Sequence, residues 1–357
     1  MKRIFVFLIA CLLLLFPLTS CSSPRYDYDL SEYIDLGNYQ QIFASFADPE
    51  QITQEDIDRE LFQVMLSFAS FQERGAEETV AQYDKVIVEY DVSYQGEVLD
   101  DYRQDDYELV VGSLDVGEAD YQMGQALIGC KKGEIRSINY TYPENDPSFW
   151  AGMTITFQVT VGAIYQSTIP ECNDKFVQSL EGYSFRTVDD FRVHLKEEIR
   201  LSREEAKREA VYYAFFDGVT VKKYPEKEYE EYVYEFQKDS IELAERLDMS
   251  YEAYVAEYLQ TDLKTFVSLA EEDAKEKVKT EMACVQLSRV LGVTLSKEEY
   301  QEGLKALYEA EGGESSSEFE SLDDFEDYYT KNEIRQKLLW EKSFEVLVQN
   351  AKRIENL

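Results

Sequence analysis

Along this chain of 357 residues the apolar positions follow one period, then a second, then the first again. After Thr53, residues Ile57, Leu61, Val64, Met65, Phe68 and Phe71 recur at helical spacing and would line one face. Thr53 can cap that helix, with Asp56 three positions on in a variant of the capping box, and Gly75 ends the run. From Lys85 the period falls to two: Val86, Val88, Tyr90, Val92 and Tyr94 alternate with Ile87, Glu89, Asp91 and Ser93. Residues 107–111 and 135–142 predict two more strands, and Ile155, Phe157, Val159 and Val161 alternate with threonines and Gln158 in a fourth. A short helical stretch at 123–128, stopped by Gly129, falls between the second and third. Four or five antiparallel strands with one short helix predict an α+β module.

Beyond residue 170 the helical period returns, in segments at 187–216, 226–247, 250–259, 261–291, 296–309 and 330–354, with an acidic, serine-rich loop at 314–320. Eight of the sixteen glycines lie between Gly96 and Gly162, and only Pro225 of the seven prolines lies beyond Pro170. Turns are therefore concentrated among the strands, and helix is left uninterrupted after them. Pro225 itself falls near a helix start, where proline is tolerated. None of these segments is apolar all round. Extended arms with exposed grooves fit that pattern, and so does a compact bundle.

Charge narrows the partners. The chain carries 36 basic against 72 acidic side chains, a net −36, which repels nucleic-acid phosphates and anionic lipid headgroups and rules against DNA or RNA. The same field makes a self-repelling surface and would draw cationic clients. Lys2 and Arg3 precede an apolar run at 4–16, too short for a membrane span of ~20 residues and suited to a signal peptide. Leu18-Thr19-Ser20-Cys21 then resembles the lipobox of bacterial lipoproteins, in which the chain is cut before the cysteine and its thiol is lipidated. Residues 1–20 are read as a lipoprotein signal peptide, Cys21 as the lipid attachment site, and 21–51 as a polar, tyrosine-rich tether. The expected location is the extracytoplasmic face of the cell membrane. Cys130, Cys172 and Cys284 remain, an odd number that allows one disulfide without assigning its pair. No Cys-x-x-Cys pair or Cys/His cluster supports a metal site, and no cofactor is implied. His194, the single histidine, falls within a helical pattern and reads as a packing or surface residue.

The order of several short motifs carries a further resemblance. Ile52-Thr53-Gln54-Glu55-Asp56-Ile57-Asp58 is followed by Asp84-Lys85-Val86-Ile87-Val88-Glu89-Tyr90, Gly96-Glu97 and Gly112-Ser113. Then come Leu127-Ile128-Gly129-Cys130-Lys131-Lys132-Gly133-Glu134, Tyr142-Pro143-Glu144, Ala151-Gly152-Met153 and Phe157-Gln158-Val159. Ile169-Pro170-Glu171-Cys172-Asn173-Asp174-Lys175-Phe176 and Val293-Thr294-Leu295-Ser296-Lys297-Glu298-Glu299 close the series. In this order and spacing the chain resembles the trigger factor family of bacterial folding chaperones, from about Ile52 onward and without its ribosome-docking domain. The resemblance implies a linker helix at 52–82, an FKBP-like antiparallel half-barrel with a short helix at 83–168, and an extended all-α chaperone domain at 169–357. It implies unfolded or nascent exported polypeptides as partners, and no ribosome.

An FKBP-type prolyl isomerase needs neither nucleophile nor metal. The barrier to amide rotation is ~18–20 kcal/mol and comes from resonance, so an apolar cleft that strips water from the prolyl amide lowers it. Carried over residue by residue, the family's cleft falls on Tyr90, Leu99, Asp100, Tyr107, Met123 and Phe157. Where the family has an Ile-Pro-Gly-aromatic-Glu run, this chain has Asp120-Tyr121-Gln122-Met123-Gly124. The floor becomes methionine, Asp120 puts a charge on an aliphatic rim, and Leu99 replaces a phenylalanine. Weakened turnover is expected, and the same aromatics serve equally as barrel core. The implied function is a membrane-anchored extracytoplasmic chaperone. An active prolyl isomerase on secreted proteins and a passive adaptor or ligand-binding lipoprotein are the alternatives.

Overall fold

The computed structural model describes residues 25–354, apart from 76, 114–116, 144–145, 147 and 314–318. The expected signal peptide, the expected lipobox with Cys21, and most of the acidic 314–320 loop lie outside the described residues. The chain forms two compact units: one from Pro49–Leu201, the other from Ser202–Leu357 together with the segment that ends at Asp48.

Two short strands, β1 (Ile34–Asp35) and β2 (Phe43–Ala44), precede α1 (Gln54–Ser67). Thr53 caps α1 as its sequence predicts: its hydroxyl accepts from the Asp56 amide, and the Asp56 carboxylate accepts from the Thr53 amide. The helix stops at Ser67, well before Gly75. Ser70–Glu73 is instead β3, and Phe71, at helical spacing in the sequence, faces Ser167 across a strand pair. Ladder hydrogen bonds to a distant strand override the local period here.

β4 (Lys85–Tyr94), β5 (Glu97–Val98), β6 (Gln104–Val110), α2 (Glu118–Leu127), β7 (Ile135–Thr141) and β8 (Thr154–Thr168) complete the half-barrel. Its six strands are all antiparallel: β4 and β8 pair centrally, β5 and β6 add to β4, and β3 and β7 add to β8. Two irregularities curl the sheet. As β4 steps from Ile87 to Val88, β8 steps from Ala163 to Val161, leaving Gly162 over. A Cβ on Gly162 would stand 3.0 Å from the Ile87 carbonyl oxygen, so a side chain at the bulge would crowd the neighbouring backbone. The bulge also shifts the buried phase of β8, from Ile155, Phe157, Val159 and Val161 to Ile164. On the other flank Val88 faces Tyr107 but Tyr90 faces Gln104, which gives β6 one residue more than β4. Asp106 absorbs it at φ +54°, a left-handed conformation that aspartate tolerates. The concave face closes over α2 and buries Val86, Val88, Leu109, Leu127, Ile155 and Val159.

In the same unit, α3 (Asp174–Gln178) and the start of α4 (Val188–Gly218) pack on α1 through Ile57, Leu61, Val177, Leu180, Phe191 and Leu195. His194 lies among the rings of Tyr183, Phe185 and Phe191 at 5.3, 5.0 and 6.3 Å, which is a packing role. The division between the two units falls within α4, between Leu201 and Ser202.

The helical unit contains the rest of α4, β9 (Thr220–Val221), α5 (Glu226–Arg246), α6 (Tyr251–Tyr258), α7 (Leu263–Val290) and α8 (Lys297–Ala310). α9 (Leu322–Tyr329), which the periodicity does not announce, α10 (Lys331–Asn350) and β10 (Lys352–Arg353) follow. Val211 and Phe215 of α4, Tyr232 of α5, Met282 of α7 and Phe344 of α10 meet in its main core. A smaller cluster, with Leu304, Phe325, Ile334 and Leu338, joins α8, α9 and α10.

Residues 25–48 of the expected 21–51 tether are part of this unit. Tyr26, Leu30, Ile34, Leu36 and Ile42 are buried in the main core, β1 pairs antiparallel with β9, and β2 pairs parallel with β10. The segment's polar composition hides this because tyrosine buries its ring and still finds a partner for its hydroxyl. The Tyr26 hydroxyl donates to Glu281 Oε2 at 2.9 Å, as does that of Tyr232, also at 2.9 Å. Cys130, Cys172 and Cys284 are free thiols, so no disulfide forms among them.

Candidate functional site

The concave side of the half-barrel gathers most of the predicted cleft. Tyr90, on β4, meets Tyr107 of β6 edge-on at 5.4 Å and Phe157 of β8 at 5.7 Å. The bulge at Asp105–Asp106 sets this meeting, because it fixes where Tyr107 falls opposite β4. Met123 of α2 lies beneath in the same cluster, and Leu99 packs against its edge. Asp100 is not drawn in. It is exposed at the start of a single 3₁₀ turn, Asp100–Tyr102.

Met123 retains 1% exposure and Phe157 7%, so the floor offers almost no surface to a ligand in this conformation. The accessible aromatic surface lies along the rim, at residues the sequence reading passed over. Trp150 stands 5.0 Å from Tyr102, 3.9 Å from Phe149 and 6.3 Å from Tyr142, which in turn meets Tyr140 at 4.8 Å. Phe149 is 61% exposed. The local signal for this rim is the Phe149-Trp150 pair itself, but its link to Tyr102 is tertiary.

Asp120, also noted in the sequence for its charge, accepts a 2.7 Å hydrogen bond from the Tyr107 hydroxyl. Burial, then this bond, pushes the Tyr107 phenol well above its ordinary value. Burial, then the Asp120 charge, raises Tyr90, and burial raises Tyr140 and Tyr142. All four phenols stay neutral at physiological pH. Among the described residues no cluster of three or more His, Cys, Asp or Glu could hold a metal ion. The arrangement supplies a desolvating aromatic wall and neutral hydroxyls, with no nucleophile among the residues that line it.

The helical unit presents a second kind of surface. Leu243 and Leu247 at the C-terminal end of α5, Tyr258 and Leu259 around the end of α6, and Leu269 on α7 are all exposed large apolar side chains. Among the described residues, no helix is long and apolar enough to cross a membrane.

What the coordinates define is an α+β chain that pairs an aromatic-walled half-barrel with a mostly helical unit. No family model matches it. The trigger factor of Caldicellulosiruptor bescii is 25% identical over 325 residues, covering 90% of this chain and 71% of the relative. That of Bacillus cytotoxicus is 26% identical over 290 residues, covering 77% of this chain and 64% of the relative. A solved structure of the trigger factor chaperone aligns over 89% of this chain and 73% of its own, at 21% identity and a TM-score of 0.39. The sequence similarity spans both units and makes this chain a homologue of the trigger factors.

Proposed function

We propose that this protein is a folding chaperone that holds unfolded exported polypeptides, tethered by a lipid on Cys21 to the extracytoplasmic face of the membrane and working without the ribosome. The observation that carries this reading is similarity to trigger factors over 90% of the chain, half-barrel and helical unit together. The exposed leucines and tyrosines of α5, α6 and α7 give it a physical basis. Apolar side chains left in water around one end of a helical hairpin bind non-native segments whose own apolar residues lack a core. The lipobox supports the location, and the half-barrel adds an aromatic surface for client segments.

Isomerisation is secondary in this reading, because Met123 is covered and Asp120 brings charge to the rim. Dilution of a chemically denatured client into buffer, with and without the mature chain at equimolar ratio, tests the chaperone reading. Suppressed light scattering is the expected result, and scattering unchanged at tenfold excess would refute it. A prolyl-peptide assay on the same preparation should show turnover well below that of an FKBP domain with an aromatic floor.

A further inference from the structure

The segment nearest the lipid attachment site is locked into the helical unit. Arg25 Nη1 donates to the Tyr232 hydroxyl at 2.6 Å and to Glu281 Oε2 at 3.1 Å, and Nη2 donates to Glu231 Oε2 at 2.9 Å. Its guanidinium also lies 4.7 Å from the centre of the Tyr232 ring. From α7, Arg289 donates to the carbonyl oxygens of Tyr26 and Tyr28 at 2.6 and 2.9 Å. Tyr26, Leu30 and Ile34 follow, each at 2% exposure or less. A segment held this way cannot act as a loose leash.

Only Ser22, Ser23 and Pro24 separate Cys21 from this clasp. Four residue steps reach at most about 14 Å when fully extended. A diacylglyceryl group puts its cysteine at the headgroup level, a layer of roughly 5–8 Å beside the hydrocarbon. We propose that in the lipid-anchored protein the face of the helical unit around Glu231 and Tyr232 of α5 and Glu281 of α7 rests against the membrane headgroups. This rests on the lipid anchor of the preceding section and names the surface that the anchor imposes. The apolar end of α5 lies some fifteen residues beyond Tyr232, about 22 Å along the helix axis. The exposed leucines at the C-terminal end of α5 are thereby separated along the helix from the anchored face.

The test uses lipidated full-length protein in vesicles containing a headgroup-linked acceptor dye. With the free thiols Cys130, Cys172 and Cys284 replaced by alanine, a donor is attached through Lys227→Cys, one turn from Glu231, or through Glu257→Cys on α6, both exposed positions. Transfer from position 227 should exceed that from 257 by at least about twofold. Inserting about 20 Gly/Ser residues after Ser22, enough for a span of roughly 25 Å, should bring the ratio near one while leaving the clasp intact. Equal transfer from the two sites in the parent protein would overturn the proposal. Palmitate labelling of the parent and of Cys21→Ala separates the two claims. Absent label defeats the anchor itself, whereas label with equal transfer defeats only the docked face.

Discussion

At the scale of single residues the half-barrel cluster is dominated by packing, with Met123 and Phe157 at 1% and 7% exposure. Met123 occupies the position that the resemblance assigns to an aromatic floor, and its side chain is buried in the cluster with Tyr90, Tyr107 and Phe157. Met123→Phe should therefore overpack the core and lower stability by about 1–3 kcal/mol, read as a reduced urea midpoint, rather than open a better pocket. Asp120 is the more informative change. Asn at this position still accepts from the Tyr107 hydroxyl while removing the charge beside the amide that must be desolvated. Asp120→Asn should raise kcat/KM for a prolyl peptide roughly three- to tenfold, a barrier change near 1 kcal/mol, with little effect on unfolding. No gain in turnover would mean that the covered floor, not the charge, limits the site. The clustering of Tyr90, Tyr107 and Phe157 was legible because their order along the chain resembles a known pattern, from which Met123 departs. Trp150 was not, since its meaning depends on Tyr102, 48 positions away in a different turn.

Among the elements, those whose signal is local match their prediction closely and those whose partner is distant do not. The alternation from Val86 to Tyr94 describes β4, and Thr53 with Asp56 marks the start of α1. β3 and the bulge at Gly162 were invisible, because both arise from pairing along the long β8 strand. The N-terminal segment was hidden more thoroughly. Its strands are two residues long, and their partners are Thr220–Val221 and Lys352–Arg353. Gly37 shows how closely it is seated: it lies at φ +60°, and a Cβ there would come 2.5 Å from the Gly218 carbonyl oxygen at the end of α4. Gly37→Ala should destabilise the helical unit by more than ~1 kcal/mol, through left-handed strain and a collision with backbone that cannot rotate away. Leu30→Ala, at a fully buried position, should cost about 2–5 kcal/mol. Both are measured by thermal unfolding, and a surface tether would leave the midpoint unchanged in each case.

The whole molecule carries a net charge of −36, and its response to pH and salt follows from that field together with a few bonded carboxylates. Asp262, bonded by the Thr265 amide, and Glu299, bonded by Lys342, are held below their ordinary range, as are Asp29 through Ser31 and Asp190 through Thr187. A depressed folded pKa gives stability that is fully present above the unfolded value, near 4, and lost as pH falls through the lower folded value. Between pH 7 and the isoelectric region near 4.3, by contrast, self-repulsion eases. The thermal midpoint should thus rise from pH 7 to about 5 and fall below about 4. At pH 7, raising NaCl from roughly 0.01 to 0.15 M should raise the midpoint, and near pH 4.5 it should not. A midpoint indifferent to salt at pH 7 would show that the acidic surface is already neutralised locally by its ion pairs.

The pairing of β10 with β2 also sets a timetable for synthesis. Residues 49–201 contain all they need to close the half-barrel, so it can mature while the remainder is still being threaded out. The helical partner must wait for Lys352 and Arg353 to arrive before its first and last strands can meet. Until then the backbone groups of Phe43 and Ala44 lack the partners that Lys352 and Arg353 supply.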